Sequence, residues 1–534
     1  MYSLLENNYF QVQLTGIVKL YSGDVLPRLN KKNTVILIGS AVALSFAYII
    51  RDNLFKPPKN LRHIPYFGYF SVIKSVVVGQ SLFDRGYRTH VPFADSRRDG
   101  LYLEPGKSGW EVHVSNAADI KQILLKHELF PKEDFSLGCE RTLLCKFVAG
   151  RNIGTTTGPE WIAQRKVVNP AFRRSMPVKL FGNITQQLFE TMDTMDQTVN
   201  VSDMMIRCTL EAIGKAGFGF DFDAVRNNSN NKWTSMYYSL GDAFCDYKYF
   251  IFPSLDQKLL WLFPKRRELH RKLDTFMGML DEVVQNKRKL MKQGQNTNQD
   301  LEENERDLLT LMLESEEKGE GALSNEELKS NLCVFFLAGH DTTAAAITFA
   351  LYYLAKYPEI QQRAREEAIS ILGDEPKDVL PTGDETKQMN YINQVIKESL
   401  RISDPVARLF IPRIPTEDTM LSGTFIPKGT KLVMNIFNVH HSSKFWKNPR
   451  QFDPDRFAIN DESKMAWVPF GSGARQCIGK YFSLNEQRVM ISMLLRKYSW
   501  TLPDDSIHKD EIITSGVPIV SVKGGVHMKF QRRY

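Results

Sequence analysis

Apolar positions recur with helical spacing from the Pro-rich segment near residue 57 to about residue 400, which predicts a mainly helical body. The longest predicted helix starts at Ser324, where Ser324-Asn325-Glu326-Glu327 forms a capping box, and it runs without Pro to about Lys356. At about 1.5 Å per residue such a helix can cross a whole domain. Its centre, Ala338-Gly339-His340-Asp341-Thr342-Thr343, works against stability: Gly costs about 1 kcal/mol relative to Ala, and Asp and Thr are weak helix formers. Those residues need another reason to be there. A second helical pattern opens after Gly479 and continues to Tyr498. Alternation replaces helical spacing from Leu101 to Val114 (LYLEPGKSGWEVHV), which reads as strand, Gly-containing turn and strand. Further strands are predicted within Arg408 to Met434 and after residue 510. No internal repeat is visible. The fold class is mainly α with small β-sheets.

Residues 34–50, TVILIGSAVALSFAYII, carry no charge and are flanked by Lys31, Lys32 and Arg51. This stretch is at the short end of what spans a bilayer. A buried helix or a signal segment would show the same run. A transmembrane anchor is favoured because Lys56-Pro57-Pro58-Lys59 follows, a basic hinge and not a small-residue cleavage site. Basic residues on both sides leave the orientation open. The expected organisation is an N-terminal extension (1–33), an anchor (34–50), a basic Pro-rich hinge (51–65) and one catalytic domain (66–534). Residues 291–306 are polar and charged and read as an exposed loop. The apolar run between Tyr247 and Pro264 fits either core packing or a second membrane contact.

Composition narrows the picture. With 43% hydrophobic residues the chain can bury a large core, which excludes disorder and coiled coil. Lys and Arg exceed Asp and Glu by 69 to 61, a surplus too dilute to indicate nucleic acid. The six Cys show no C-x-x-C pair and no regular spacing, so neither a disulfide framework nor a zinc site is predicted, and a reducing compartment is expected for the body.

The sharpest chemical signal is Phe470-Gly471-Ser472-Gly473-Ala474-Arg475-Gln476-Cys477-Ile478-Gly479. Most lone Cys residues are small buried hydrophobes. Cys477 instead follows a Gly-rich loop and opens a helical pattern, where Gly permits close approach of a flat ligand, and helix-start N–H groups with Arg475 would favour a thiolate. The stretch resembles the cysteine-ligand loop of the cytochrome P-450 family, F-x-x-G-x-R-x-C-x-G, and fits it at every fixed position. The resemblance implies the fold of that family, a haem b with Cys477 as axial iron ligand, and Phe470, Gly473, Arg475 and Gly479 around the haem. A thiolate ligand donates electron density to iron and favours O–O cleavage.

Other stretches follow the order of the same family. Glu398-Ser399-Leu400-Arg401, with Arg456 in Phe452-Asp453-Pro454-Asp455-Arg456-Phe457, resembles its buried Glu-Arg-Arg network, a structural device. Trp161 and Arg165, at i and i+4, resemble haem-propionate partners, as do Arg475 and Arg413, with Arg408 the alternative to Arg413. Arg401-Ile402-Ser403-Asp404-Pro405 departs from the usual aromatic-Pro pair. Ala338 to Thr343 resembles the oxygen-binding groove: Gly339 would leave room for dioxygen, and the catalytic pair Asp341 and Thr342 would deliver protons through water. His340 reads as a bystander, and Phe335 and Phe336 as core or distal pocket. Some fatty-acid ω-hydroxylases of the family carry Glu at the position of Ala338 and attach haem through it, a link impossible here.

The resemblance is closest to eukaryotic microsomal members. It implies a monooxygenase that inserts one oxygen atom of O2 into a hydrophobic small molecule, at the cytosolic face of the endoplasmic reticulum membrane. Electrons would come from NADPH through NADPH-cytochrome reductase, with cytochrome b5 a further candidate partner. A haem-thiolate isomerase or dehydratase acting on a hydroperoxide, and a non-catalytic haem protein, are the alternatives. Retention of Asp341 and Thr342 speaks against the isomerase, which needs no proton relay.

Overall fold

Ser324 starts the helix around which the body is built. Its hydroxyl accepts from the Glu327 N–H at 3.2 Å, and the Glu327 carboxylate accepts from the Ser324 N–H at 3.0 Å. In the computed structural model this helix spans Asn325–Lys356. The structure describes residues 55–534 apart from 107–108, 135–138, 149, 227–231, 245, 247, 250–251, 294–301, 320, 410, 459–464 and 517–518; before residue 55 it describes only 36 and 39–41. The anchor expected at 34–50 thus lies almost wholly outside the described residues, as does half of the loop expected at 291–306.

The helices that build the site are α1 (Gly158–Arg174), α2 (Val201–Ile213), α3 (Lys232–Phe244), α4 (Pro264–Lys292), α5 (Asn325–Lys356), α6 (Asn390–Ile402) and α7 (Lys480–Lys497). Helix α5 is long and apolar enough to cross a membrane, yet 67% of its apolar stretch is buried by the rest of the chain, so it is a core helix. It packs against α2, α4, α6 and α7.

Strands β1 (Leu101–Gly106) and β2 (Gly109–Val114) pair antiparallel, as the alternation predicts. Strand β3 is Thr198–Asn200. Within Arg408 to Met434 lie a hairpin of β4 (Thr419–Leu421) and β5 (Thr424–Ile426), and β6 (Lys431–Met434), which joins β2 in parallel. Strand β7 (Tyr498–Thr501) continues directly from α7, β8 (Thr514–Ser515) pairs with β9 (Ser521–Val522), and β10 (His527–Arg532) lies between β3 and β7. The sequence pattern missed β3 and β7, because three or four residues carry no readable period and their pairing partner is over 300 residues from β3.

Leu61 and Ile64, from the expected hinge, are buried in the apolar cluster built on β1, β2 and β6. The cysteine reading needs correction: Cys139 is joined to Cys145. A turn at Cys139 leads into the short helix Leu143–Val148 and brings the two Cα atoms within 6.2 Å, a spacing outside the motifs that flag a pair in sequence. Of the apolar run between Tyr247 and Pro264, Tyr249 is buried, whereas Phe252, Leu259, Trp261 and Leu262 are exposed.

Candidate active site

The cysteine loop is closed by the Cys477 N–H, which donates to the Phe470 carbonyl at 2.9 Å. Gly471 and Gly473 take φ of +67° and +70°, left-handed values that a side chain would strain. Gly473 also passes so close to the next segment that a Cβ would meet the Leu124 carbonyl oxygen at 3.1 Å. Gly479 then caps α7 at its N-terminus. Cys477 itself is exposed at the surface, with the bulk of the protein around it. Desolvation by that bulk raises the thiol above its ordinary value, while the Gly479 N–H and the charges of Arg165 and Lys480 draw it down. Arg475 does not contribute as the sequence suggests. It turns away, donates to the Thr156 carbonyl at 2.8 Å and lies over the Trp161 ring at 3.8 Å. Arg165 takes the loop instead, donating to the carbonyls of Ala474 (3.1 Å) and Gln476 (3.2 Å).

Around this loop gathers a cluster of cations. Burial and the charges of Arg413, Arg475 and Arg165 push Lys132 down to about 7. Burial, Arg413 and Arg165 push Arg475 down to about 9, and burial alone brings Arg413 to about 10. None of these three feels a carboxylate of the described residues. The Nε atoms of Arg165 and Arg475 are buried without a hydrogen-bond partner. Cations brought together without counter-charge are costly unless a ligand supplies it. A flat ligand with two carboxylates, which haem is, fits both this cluster and the glycine cradle. Lys132 was missed in the sequence: it reads as an ordinary loop lysine, and its place comes from a bridge to Arg413. Arg408 lies close enough to Glu111, His113 and Tyr102 for its charge to lower their pKa values.

On α5, Thr342 donates its hydroxyl to the Ala338 carbonyl four residues back at 2.6 Å. Asp341 has a neighbour at each oxygen, an ion pair at Oδ1 and a hydrogen bond at Oδ2. The His340 Nε2 lies 3.0 Å from Oδ1, and the Tyr237 hydroxyl on α3 donates to Oδ2 at 3.3 Å. His340 is fully buried; burial alone would lower its pKa, but Asp341 and the Phe336 carbonyl outweigh it and the net shift is upward. It is therefore no bystander. At Gly339 a Cβ would meet the Ile213 side chain of α2 at 3.0 Å, which gives helix packing as one reason for glycine there. The space a side chain would fill is already closed by helix packing. Phe335 and Phe336 are core residues, the latter ringed by Phe218, Phe222, Tyr237 and Phe276.

Glu398 and Arg401 on α6 are fully buried and form a two-point pair of 2.7 and 2.8 Å. Arg456 and the Asp453 N–H add to the same Glu398 oxygen at 3.2 and 3.0 Å. Burial raises Glu398, with Arg401, the Asp453 N–H and Arg456 opposing. Arg401 also donates to the carbonyls of His440 (2.7 Å) and Pro449 (2.9 Å). The His440 ring accepts from the Val468 N–H at 3.1 Å, two residues before Phe470. Burial and Arg401 push His440 down to about 3, so it stays a neutral acceptor. The network thus reaches the cysteine loop through His440, which no sequence motif marked.

Residues 110–528 match the family model described as Cytochrome P450. Among characterised proteins, Cytochrome P450 4A24 of Sus scrofa is 31% identical over 384 residues, covering 70% of this chain and 74% of that protein. Cytochrome P450 4F5 of Rattus norvegicus is 29% identical over 72% and 74%, and the Taurochenodeoxycholic 6 alpha-hydroxylase of Sus scrofa 29% identical over 70% and 74%. The crystal structure of the cytochrome P450DA heme domain shares the fold, with a TM-score of 0.72 at 21% identity over 88% of this chain and 98% of that one. With the family model spanning the site residues from Lys132 to Cys477, the chain belongs to the cytochrome P450 family of haem monooxygenases.

Proposed function

We propose that this chain hydroxylates an apolar or amphipathic lipid-like molecule with electrons from NADPH, delivered by a cytochrome reductase at the endoplasmic reticulum membrane. The observation that carries the reading is Cys477, accessible in a loop held by Arg165 on one side and by the Glu398, Arg401 and His440 chain on the other. Bound haem supplies the iron at which dioxygen is reduced and one oxygen atom transferred. Cys477 ligates it, and Lys132, Arg165, Arg413 and Arg475 neutralise its carboxylates. Trp161 stacks on Arg475 and fixes its direction. Asp341 and Thr342 hold and pass the protons that dioxygen reduction consumes.

The lipid class is supported by one relative named for hydroxylating a bile acid, taurochenodeoxycholate. Membrane association is supported by the uncharged residues 34–50 and by Phe252, Trp261 and Leu262, which are 59%, 67% and 50% exposed. The test is spectroscopic and then catalytic. Reduced protein with carbon monoxide gives the long-wavelength Soret band of a thiolate ligand, and Cys477→Ala abolishes it. With a reductase and NADPH, a fatty-acid and bile-acid panel yields hydroxylated product. A Cys477→Ala protein that keeps the band, or a panel that yields no product while NADPH is consumed, overturns the ligand and the substrate class respectively.

A further inference from the structure

The His340 ring is oriented by its own helix. Its Nδ1 lies 2.6 Å from the Phe336 carbonyl, which can only accept, so Nδ1 carries a proton. Its Nε2 lies 3.0 Å from Asp341 Oδ1. That is ion-pair distance, but the two atoms are not aligned for a hydrogen bond and Nε2 has no other partner; a bare Nε2 would set its lone pair beside a carboxylate oxygen in a fully buried position, so the Asp341 charge favours the protonated ring. The ring is enclosed by Tyr237 of α3 and Phe336 of α5, with centroids at 4.9 and 5.4 Å, and Phe276 of α4 packs behind Phe336. Of the polar groups at the ring, Asp341 brings a carboxylate and Tyr237 a hydroxyl that donates to it; α4 contributes an apolar side chain.

We propose that His340 is a positioning residue that stores the proton for Asp341, resting as an imidazolium ion-paired through Nε2 with the Asp341 carboxylate. When Asp341 passes a proton outward, the Nε2–H bond breaks and an Oδ1–H bond forms. Asp341 then releases that proton, leaving a neutral imidazole with Nδ1–H still on Phe336 and an ionised carboxylate. The next proton enters from solvent at the Asp341 side chain, which is 29% exposed, and returns to Nε2. Tyr237 keeps Oδ2 in place throughout. The inference rests on Asp341 acting in proton delivery, but the stored proton can be observed apart from turnover.

The experiment uses holoenzyme in the diamagnetic ferrous carbonyl form, labelled with 15N at its ten histidines. The His340 signals are those lost in His340→Gln and moved in Asp341→Asn. Both ring nitrogens of His340 are expected at imidazolium shifts at pH 7, and Asp341→Asn is expected to return the ring to neutral imidazole. Because that comparison needs only one of the two variants for assignment, failure of His340→Gln to fold leaves it standing. In turnover with a reductase, the wild type should lose rate as pH rises through the His340 transition. His340→Gln can still donate to Oδ1 but stores no titratable proton, so it should lack that limb and run slower at neutral pH, on the order of tenfold. A neutral Nδ1–H ring from pH 6 to 8 in the wild type, or an unchanged pH limb in His340→Gln, overturns the proposal. An imidazolium signal together with wild-type turnover in Asp341→Asn would instead remove Asp341 from proton delivery.

Discussion

Arg475 lies over Trp161, its guanidinium carbon 3.8 Å from the ring centre, while Arg165 approaches the same indole at 5.7 Å. The indole therefore organises two cations from segments over 300 residues apart, one on the cysteine loop and one on α1. Its electron-rich face offsets part of their repulsion. Trp161→Ala should release Arg475 and loosen haem, read as faster haem transfer to an apo-globin scavenger. Trp161→Phe, which keeps a ring face, should fall between wild type and Ala.

Lys132 gives a pH signature. Its folded pKa is about 7, below the ordinary lysine value, so between those values the unfolded chain binds a proton that the folded chain does not. Stability of haem-free protein should consequently rise with pH above about 7. Below that point both states are protonated and the penalty from burial and from Arg413, Arg475 and Arg165 is fully present. Lys132→Met should flatten this rise in urea melts of haem-free protein and weaken haem retention in the loaded form. An equal slope in the variant would remove Lys132 from the cluster.

The two-point pair of Glu398 and Arg401 has no exposure to share its charge with water. Arg401→Leu leaves Glu398 with only the Asp453 N–H and Arg456, and breaking such a pair costs about 3–5 kcal/mol. The same change frees the His440 carbonyl, so the variant should be recovered largely without haem. Arg456→Lys, at the edge of the network, should lower the urea midpoint far less.

Gly339 and Ile213 form a pair that a double-mutant cycle can read. Gly339→Ala gains about 1 kcal/mol of helix propensity, but its Cβ meets Ile213 Cδ1 at 3.0 Å. Ile213→Val removes that carbon. The loss caused by Gly339→Ala in the wild type should shrink or reverse in the Ile213→Val background, with a coupling of about 0.5 kcal/mol or more. Additive effects would show that the two helices yield freely at this point.

What could be read in the sequence was local. The Ser324 capping box, the glycines before Cys477 and the β1–β2 hairpin each declare themselves within ten to fifteen residues, because turns, caps and short alternations depend on near neighbours. The remainder depended on partners far along the chain. Lys132 acquires its role from Arg413, Gly339 a packing need for glycine from Ile213, and Asp341 its hydrogen bond from Tyr237. Adjacency in the chain places Arg475 beside the sulfur, but the Trp161 ring draws it the other way. Even His340, next to Asp341, could not be read, since its role follows from a ring direction set by the Phe336 carbonyl and by burial on every side.

Thr342 gives the last prediction. Its hydroxyl proton is committed to the Ala338 carbonyl at 2.6 Å, so its oxygen is presented as an acceptor that can orient a water next to Asp341. Removing that oxygen leaves Asp341, His340 and Tyr237 in place but takes away the group that fixes where the proton is delivered. Positioned proton transfer typically contributes about a hundredfold or more, so a modest loss of direction lets dioxygen leave as hydrogen peroxide before an oxygen atom reaches the substrate. Thr342→Ala should consume NADPH with a donor reductase at a rate near wild type while forming less hydroxylated product and more peroxide. Asp341→Asn should slow NADPH consumption itself, because the proton supply and not its direction is lost. Thr342→Ser, which keeps the hydroxyl, should restore most of the product yield; wild-type yield per NADPH in Thr342→Ala would show that Asp341 directs the proton without it.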